Sequence, residues 1–338
     1  MTDIYIPLRI HSPYSIGEGA VHTNALAARL EEWGVPAAAI ADTRTLSGAY
    51  AAKADLSKKG VQPILAAQVE VGHPGLKGDA ETSELVLIAQ SEKGYLQISD
   101  ILSQGLLAQE PCSLKKILSY RDEGEFLVLT GGPRGPIDKA LSAEAPDRAR
   151  QRLKSLKAGL GDRLYCEIQR QGAPNPYDPE LVAIANEIDV PCVATSECWF
   201  IDPDYVDAHD ALLCVSHGYT LDHDDRPRAD PHGYLKSPAE MAALFADVPD
   251  AIANTLEISR RCSFLIEEKA PELPAFPTKE GRSEAEELRA QSREGLEARL
   301  KTIGLTGDDK SPSGFTRQDY FDRLDYELEV IEGMGFPG

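Results

Sequence analysis

The stretch IYIPLRIHSPYSIGEGA, residues 4–20, reads as a strand that hands polar side chains to a glycine-bearing loop. Positions two apart on a strand share a face, so Arg9 and His11 project on the same side. A carboxylate, Glu18, follows on a turn marked by Gly17 and Gly19. A histidine and a carboxylate at a strand end are half of a hydrolytic metal site. What the other strands bring to the same end decides whether that site is whole.

Six further runs read as strands: PAAAIAD (36–42), PILAAQVEV (63–71), ELVLIAQ (84–90), EFLVLTG (125–131), RLYCEIQ (163–169) and PCVATSE (191–197). Several are apolar on both faces, as strands covered on both sides should be. Between them lie helical stretches with apolar residues at three and four spacing: 23–34, ending in Gly34 as a stop, then 45–60, 145–161 and 178–188. Such alternation predicts β-α units laying a parallel sheet, and seven strands in this order favour a β/α barrel over an open sheet. In a barrel, function sits at the strand C-terminal ends and the loops after them.

After about residue 203 the pattern turns helical, and Ser237 with Glu240 forms a capping box with Pro238 at the first helical position. The fold class expected is therefore α/β, a seven-stranded barrel followed by a helical extension. Residues 1–270 form the barrel domain. Residues 271–282, which take in all but the first residue of the proline-bearing stretch APELPAFPTKEG (270–281), form a linker. Residues 283–338 hold two amphipathic helices, too few to close a core, and are read as the incomplete start of a further domain. Exposed apolar faces there would favour poor order or self-association.

The formal net charge of −20 argues against a broad grip on a phosphate backbone, which needs lysines and arginines to displace counterions. No run approaches the roughly 20 apolar residues of a bilayer span, and residues 1–12 lack the features of a signal peptide, so a cytoplasmic protein with no membrane partner is expected. The six cysteines, Cys112, Cys166, Cys192, Cys198, Cys214 and Cys262, form no C-x-x-C pair and read as reduced thiols.

The strand ends carry Arg9, His11, Asp42, Thr43, Gln68, Glu70, Gly131, Gly132, Arg170, Gln171, Glu197 and Trp199, with Glu18 on its loop. A multi-metal hydrolase needs several histidine and carboxylate ligands converging on its ions. Only His11, Glu18, Asp42 and Glu197 qualify. Arg9 opposes metal, because a guanidinium offers donors only and repels a nearby cation. Arg9 is instead expected to balance charge by pairing with some of Glu18, Asp42 and Glu197.

The order of LRIHSPYSIGEGA, VPAAAIADTRTLSGA, KGVQPILAAQVEV, YCEIQRQG, VPCVATSECWFIDPDYVDAHDALLCVSHGYTLD, YLKSPAEMAALFAD and AIANTLEISRRC resembles the N-terminal PHP domain of bacterial DNA polymerase III alpha subunits, along essentially the whole chain. The ending RLDYELEVIEGMGFPG resembles the stretch leading into that family's palm. The resemblance implies a PHP-type barrel in which intact members hold a metal cluster at the strand ends. Position by position, Arg9 stands where the first ligand histidine would be, while His11 and Glu18 match ligand types. Thr43 replaces a histidine after Asp42, Gln68 replaces a carboxylate, and Gly132 falls near a ligand position. Gln171 replaces the histidine of an R-H-G motif, and Glu197 and Trp199 stand for the closing D-x-H.

The resemblance thus implies a vestigial site with no metal, cofactor or catalytic residue in this segment. It implies a scaffold that supports the polymerase and docks the proofreading exonuclease (epsilon) subunit. Other polymerase III holoenzyme subunits and primed DNA would be engaged through domains beyond Gly338, where a magnesium-dependent palm would carry nucleotidyl transfer. The enzymatic alternative is residual phosphoesterase or exonuclease activity of the barrel.

Other motifs read as structural. The D-x-D of Asp222 and Asp224 lies in a polar, turn-like loop, and GGPRGP lacks the Lys-Ser/Thr needed to cradle phosphate. Arg134 in that loop is expected to be solvated. His209 and His217, eight apart on one helix, are expected to stabilise the fold, and His22, His73, His223 and His232 to lie in loops.

Overall fold

In the computed structural model, residues 4–72, 82–269, 274–278, 281–305 and 309–338 are described. His73 and residues 270–273 lie outside them, as do residues 279 and 280 of the expected linker. The chain forms two compact units, Met1–Glu267 and Glu268–Gly338.

Seven strands organise the first unit: β1 (Ala37–Thr43), β2 (Gln62–Gly72), β3 (Thr82–Ala89), β4 (Cys112–Ser113), β5 (Phe126–Leu129), β6 (Leu164–Gln169) and β7 (Cys192–Thr195). They run in the order β1-β2-β3-β5-β6-β7, with the two-residue β4 paired to β2 off this path. The extended segment 4–11 closes the ring. Ile10 makes parallel bridges both to Ile40 of β1 and to Cys198 just past β7. Backbone bonds from His11 N to Cys198 O (2.9 Å) and from Ala41 N to Ile10 O (2.8 Å) fasten the two seams. Six path strands and this segment make the expected seven-stranded β/α barrel.

One strand departs from the all-parallel expectation. β3 pairs antiparallel with β2 on one side and with β5 on the other. Its first residues, rather than its last, therefore reach the end where the other strands finish, and Glu84 arrives at the barrel mouth. The alternation along each strand then stacks polar residues over apolar ones. Gln68 caps Ala66 and Ile64, Glu84 caps Val86 and Ile88, and Glu167 and Gln169 cap Tyr165; all are buried except Glu84.

Helices α1 (Thr23–Trp33), α2 (Ala49–Lys58), α3 (Glu92–Ala108), α4 (Leu114–Ser119), α5 (Pro136–Ser142), α6 (Pro146–Leu160), α7 (Asp178–Glu187), α8 (Val206–His217), α9 (Pro238–Leu244) and α10 (Pro249–Arg261) surround the barrel. Gly34 ends α1 at φ 66°, its N–H returning to Glu31 and Leu30 carbonyls. The Ser237–Glu240 capping box of α9 is formed, with Pro238 in its first turn. Helices α3, α4 and α5 were not among the stretches read as helical. Of the cysteines, all are free and only Cys192 is not fully buried. No described helix is long and apolar enough to cross a membrane.

The second unit holds α11 (Glu284–Thr302) and α12 (Arg317–Gly333), each opened by a capping box. Arg289 and Glu332 join them in a bidentate pair at 2.7 and 2.8 Å. Few apolar side chains are buried here: Leu300, Leu305 and Leu328, while Ile303, Phe315, Met334 and Phe336 are each more than half exposed.

Candidate functional site

Arg9 enters the barrel mouth from the closing segment because Ile6, Leu8 and Ile10 occupy the opposite face and are fully buried there. Its guanidinium has no solvent exposure. One nitrogen donates to both carboxylate oxygens of Glu167, at 3.2 and 3.3 Å. The other donates to Glu197 Oε1 at 2.6 Å and to the side-chain oxygen of Gln68, with Glu84 at 3.8 Å.

Arg134, from the 3-10 turn after β5, closes the cluster from outside. It bonds Glu84 at 2.7 Å and Glu197 at 2.5 Å while remaining 44% exposed. The expectation of simple surface solvation for Arg134 is thereby corrected. The physical reason is the two carboxylates within reach, one of which the strand-end reading missed. Two guanidinium groups thus face three carboxylates.

These contacts set the protonation of the cluster. Burial alone would raise the Glu197 carboxyl, but Arg9, the hydrogen bond to His11 and Arg134 outweigh it and hold it well below the usual carboxylate range. Burial works against the charge on Arg9 as well, yet Glu167 and Glu197 raise its value above that of a free guanidinium. Glu167 is completed by Thr195 Oγ1 at 2.6 Å and the Gly131 N–H at 3.0 Å.

Of the three partners expected for Arg9, only Glu197 pairs with it. Asp42 is held instead by the HSPYS turn: it accepts from Ser12 N, Ser12 Oγ and Ser15 Oγ, each at 2.7 Å. Burial raises its carboxyl, and these three bonds offset only part of the rise. Glu18 accepts from Thr43 Oγ1 at 2.6 Å, away from the guanidinium. The serines satisfied Asp42 because they lie on the loop that folds directly over the end of β1, whereas Arg9 points across the barrel.

The remaining strand-end residues serve the frame. Gln171 accepts from Glu197 N (3.0 Å) and Ser196 Oγ (2.7 Å) and donates to Glu197 O (2.9 Å), so it fixes the backbone that carries Glu197. Gln169 donates to Glu197 Oε2 at 3.1 Å. Gly132 lies against Gln169, where an added Cβ would come within 2.2 Å of its side-chain oxygen. Arg170 turns outward to Asp178 (2.7 Å) and Asp247 (2.6 and 2.9 Å), joining α7 to the turn after α9.

His11 lies 3.2 Å from Glu197 Oε1 through Nε2 and stacks on Trp199, centroids 3.8 Å apart at 12°. A carboxylate only accepts, so Nε2 carries the proton in that bond. His209 reaches the Glu18 carbonyl at 2.7 Å and is buried, whereas His217 is exposed and bonds Leu213 O, so the two histidines of α8 do not converge. Among the described residues, no three His, Cys, Asp or Glu side chains form a group that could hold a metal. Beside the cluster lies a polar cleft of about 280 Å³, lined by Glu18, Thr43, Glu70, Glu84, Arg134 and Lys139 among others.

The donor set does not fit a metal cluster. The position between Gln68, Glu84, Glu167 and Glu197 is filled by a guanidinium, which cannot ligate and repels a cation placed beside it, and which shares the three carboxylates with Arg134. Two of these partners, Glu84 and Glu167, are missed by a walk along strand C-terminal ends. Glu84 lies at a strand start, and Glu167 lies inside β6, two residues before its end. Only the alternation 167–169 on the buried face hinted at the latter.

Residues 7–171 match the family model of the PHP domain. The chain is 39% identical over 345 residues to DNA polymerase III subunit alpha of Caulobacter vibrioides, across 99% of this chain and 29% of that protein. It is 34% identical over 347 residues to the subunit of the same name from Pseudomonas aeruginosa, across 100% of this chain and 29% of that protein. For Escherichia coli K12 the figures are 33% over 341 residues, 99% and 29%. The chain thus spans under a third of the length of these relatives. Among solved structures, an amidohydrolase from Chromobacterium violaceum is similar at a TM-score of 0.44 and 12% identity, covering 57% of this chain and 87% of that one.

Proposed function

The chain belongs to the family of DNA polymerase III alpha subunits and carries their PHP domain, and on that premise we propose that its barrel is a catalytically silent structural module. In this reading it supports a replicative polymerase and serves as the docking platform for the proofreading exonuclease subunit. Nucleotide addition to primed DNA, with magnesium, and contacts to other holoenzyme subunits belong to the parts of the relatives that this chain does not span.

One observation carries the reading: Arg9, wholly buried, takes the centre of the mouth and pairs with Glu167 at 3.2 Å and Glu197 at 2.6 Å. Three buried or half-buried carboxylates without cations would repel one another, and a metal cluster in an active hydrolase answers that repulsion with ions. Here a side chain answers it, permanently and without an open coordination position. An arginine is suited to the task because its planar fork meets several oxygens at once.

The test is elemental analysis of the purified, dialysed protein together with hydrolysis of a generic phosphodiester, with and without manganese or zinc. Folded protein that is metal-free and inactive is expected. Stoichiometric metal, with hydrolysis abolished by His11→Ala, would overturn the proposal.

A further inference from the structure

The barrel wall brings into register two cysteines that lie far apart in the chain. In the parallel ladder of β6 and β7, Cys166 stands directly opposite Cys192. The Cys166 N–H donates to the Pro191 carbonyl at 2.9 Å, which fixes that register. Side chains alternate along both strands, so Cys166 faces outward with Ile168 and Cys192 with Ala194, on the opposite side from Glu167 and Gln169 of the barrel mouth. Both thiols therefore lie on one face, packed with Leu181 and Ile184 of α7 and Ile252 of α10 in the same apolar layer.

Neighbouring strands run about 4.8 Å apart, and disulfides join Cα atoms about 4.4–6.8 Å apart. The backbone thus already holds the two residues within bonding range. No other cysteine has a cysteine across its ladder: Cys112 faces Val71, and Cys198 bridges to Ile10. Cys214 lies within α8, and Cys262 caps the end of α10.

The two thiols are unequal. Cys192 is the one cysteine that is not fully buried, and Asn254 of α10, donating to its carbonyl at 2.7 Å, holds it at the start of β7. Cys166 is wholly enclosed. A hydrogen bond from the Cys166 thiol holds Cys192 below the value of a free thiol despite its partial burial, and the same bond, with burial, raises Cys166 well above that value. Burial pushes Cys198 and Cys262 up to about 12. The thiolate is the form that reacts with oxidants, so reactivity falls on Cys192, with Cys166 beneath it as the second sulfur.

We propose that Cys192 and Cys166 are an oxidation site for hydroperoxides, in which Cys192 reacts first and Cys166 closes a disulfide across the β6–β7 ladder. The Cys192 thiolate attacks one peroxide oxygen and the O–O bond breaks. Cys192 becomes a sulfenic acid, and the leaving hydroxide or alkoxide takes up the proton that Cys192 released, giving water or an alcohol. The Cys166 sulfur then attacks the sulfenic sulfur, the S–S bond forms, and the displaced hydroxyl leaves as water with the Cys166 proton. Two thiols lose two electrons and one peroxide gains them. The bond ties the strand that carries Glu167 to the one that leads into Glu197, the two carboxylates closest to Arg9.

The experiment treats the folded, reduced chain with a small excess of hydrogen peroxide, removes the peroxide, and then counts thiols in denaturant and maps linkages by mass spectrometry after trypsin. Two of the six thiols should disappear, the intact mass should fall by about 2 Da, and the peptide holding Cys166 should be joined to the next one through Cys192. In Cys166→Ala, Cys192 should stop at the sulfenic acid and be trapped by dimedone, whereas Cys192→Ala should keep every remaining thiol. Retention of all six thiols in the parent, or a linkage map without the Cys166–Cys192 bond, would overturn the assignment. So would loss of thiols from folded Cys192→Ala as fast as from the parent. The parent's map requires no substitution, so it decides the question even where a variant fails to fold.

Discussion

Replacing Arg9 by methionine removes a cation of similar length from the barrel mouth and leaves its partners in place. Glu167, fully buried, would keep only Thr195 Oγ1 and the Gly131 N–H, and Glu197 would keep His11, Gln169 and Arg134. One guanidinium would then face three carboxylates instead of two. Removing one member of a buried ion pair costs about 3–5 kcal/mol, since the stranded charge keeps its desolvation penalty. With a urea slope of about 3 kcal/mol/M, the midpoint should fall by roughly 1–1.7 M. Tryptophan fluorescence suits the measurement, because both tryptophans, Trp33 and Trp199, lie in the first unit and Trp199 stacks on His11.

The loss should also depend on pH in a definite direction. In the parent, the Glu197 value is depressed, so its contribution is present above the unfolded carboxylate value of about 4.3 and is lost as pH falls through the lower folded value. In the variant Glu197 loses Arg9 while burial still raises its carboxyl, so its value moves up from the depressed one of the parent. Its penalty is then relieved by protonation at a higher pH than in the parent. The gap between parent and variant should therefore narrow between pH 7 and pH 5. A loss below about 1 kcal/mol at pH 7, or a gap that stays constant over that range, would refute the role assigned to Arg9.

Three further outcomes are expected. Carboxyl carbon NMR should find Asp42 titrating above the usual range and Glu197 below it, so that between those values acidification favours the fold at Asp42 and opposes it at Glu197; titration of the two in the reverse order would contradict the bonding described. Gly131→Ala should cost more than the roughly 1–3 kcal/mol of its left-handed backbone alone, because φ is 86° and the new Cβ would meet the Glu84 carbonyl at 1.9 Å; a melting temperature close to the parent's would count against it. Arg170→Lys should destabilise by about 2–4 kcal/mol, since one ammonium cannot reproduce the fork that joins Asp178, Asp247 and the Leu244 carbonyl; denaturation that matches the parent's would show these bonds to be dispensable.

Much of the frame is legible along the chain. The runs read as strands fall on β1, β2, β3, β5, β6, β7 and the closing segment, because each is a short apolar block between turn residues, and such blocks need no knowledge of their neighbours. The stops and caps at Gly34 and Ser237 are equally local. Helices α3 to α5 escaped because the boundary signals between residues 91 and 142 are weak: Pro136 and the Ser91 cap are present, but Gly94 and Gly105 interrupt α3. Gly94 is needed where the helix crosses Glu125, whose carbonyl lies 1.8 Å from an added Cβ.

The site divides in the same way. That Arg9 cannot be a metal ligand follows from its chemistry, and that Thr43, Gln68 and Gln171 are poor substitutes for histidine and carboxylate follows from theirs. By itself the sequence therefore determined the strands and the depletion of the ligand set. Only the tertiary structure decided which carboxylates neutralise Arg9. Strand direction is a property of pairing and cannot be read from one strand, so nothing local brings Glu84 to the mouth; the antiparallel ladders of β3 do. Asp42, adjacent in pattern and reasonable in charge, is instead taken by two serines that lie nearer. A guanidinium about 7 Å from its own backbone pairs with whatever the barrel's far wall presents, and the far wall is set by closure.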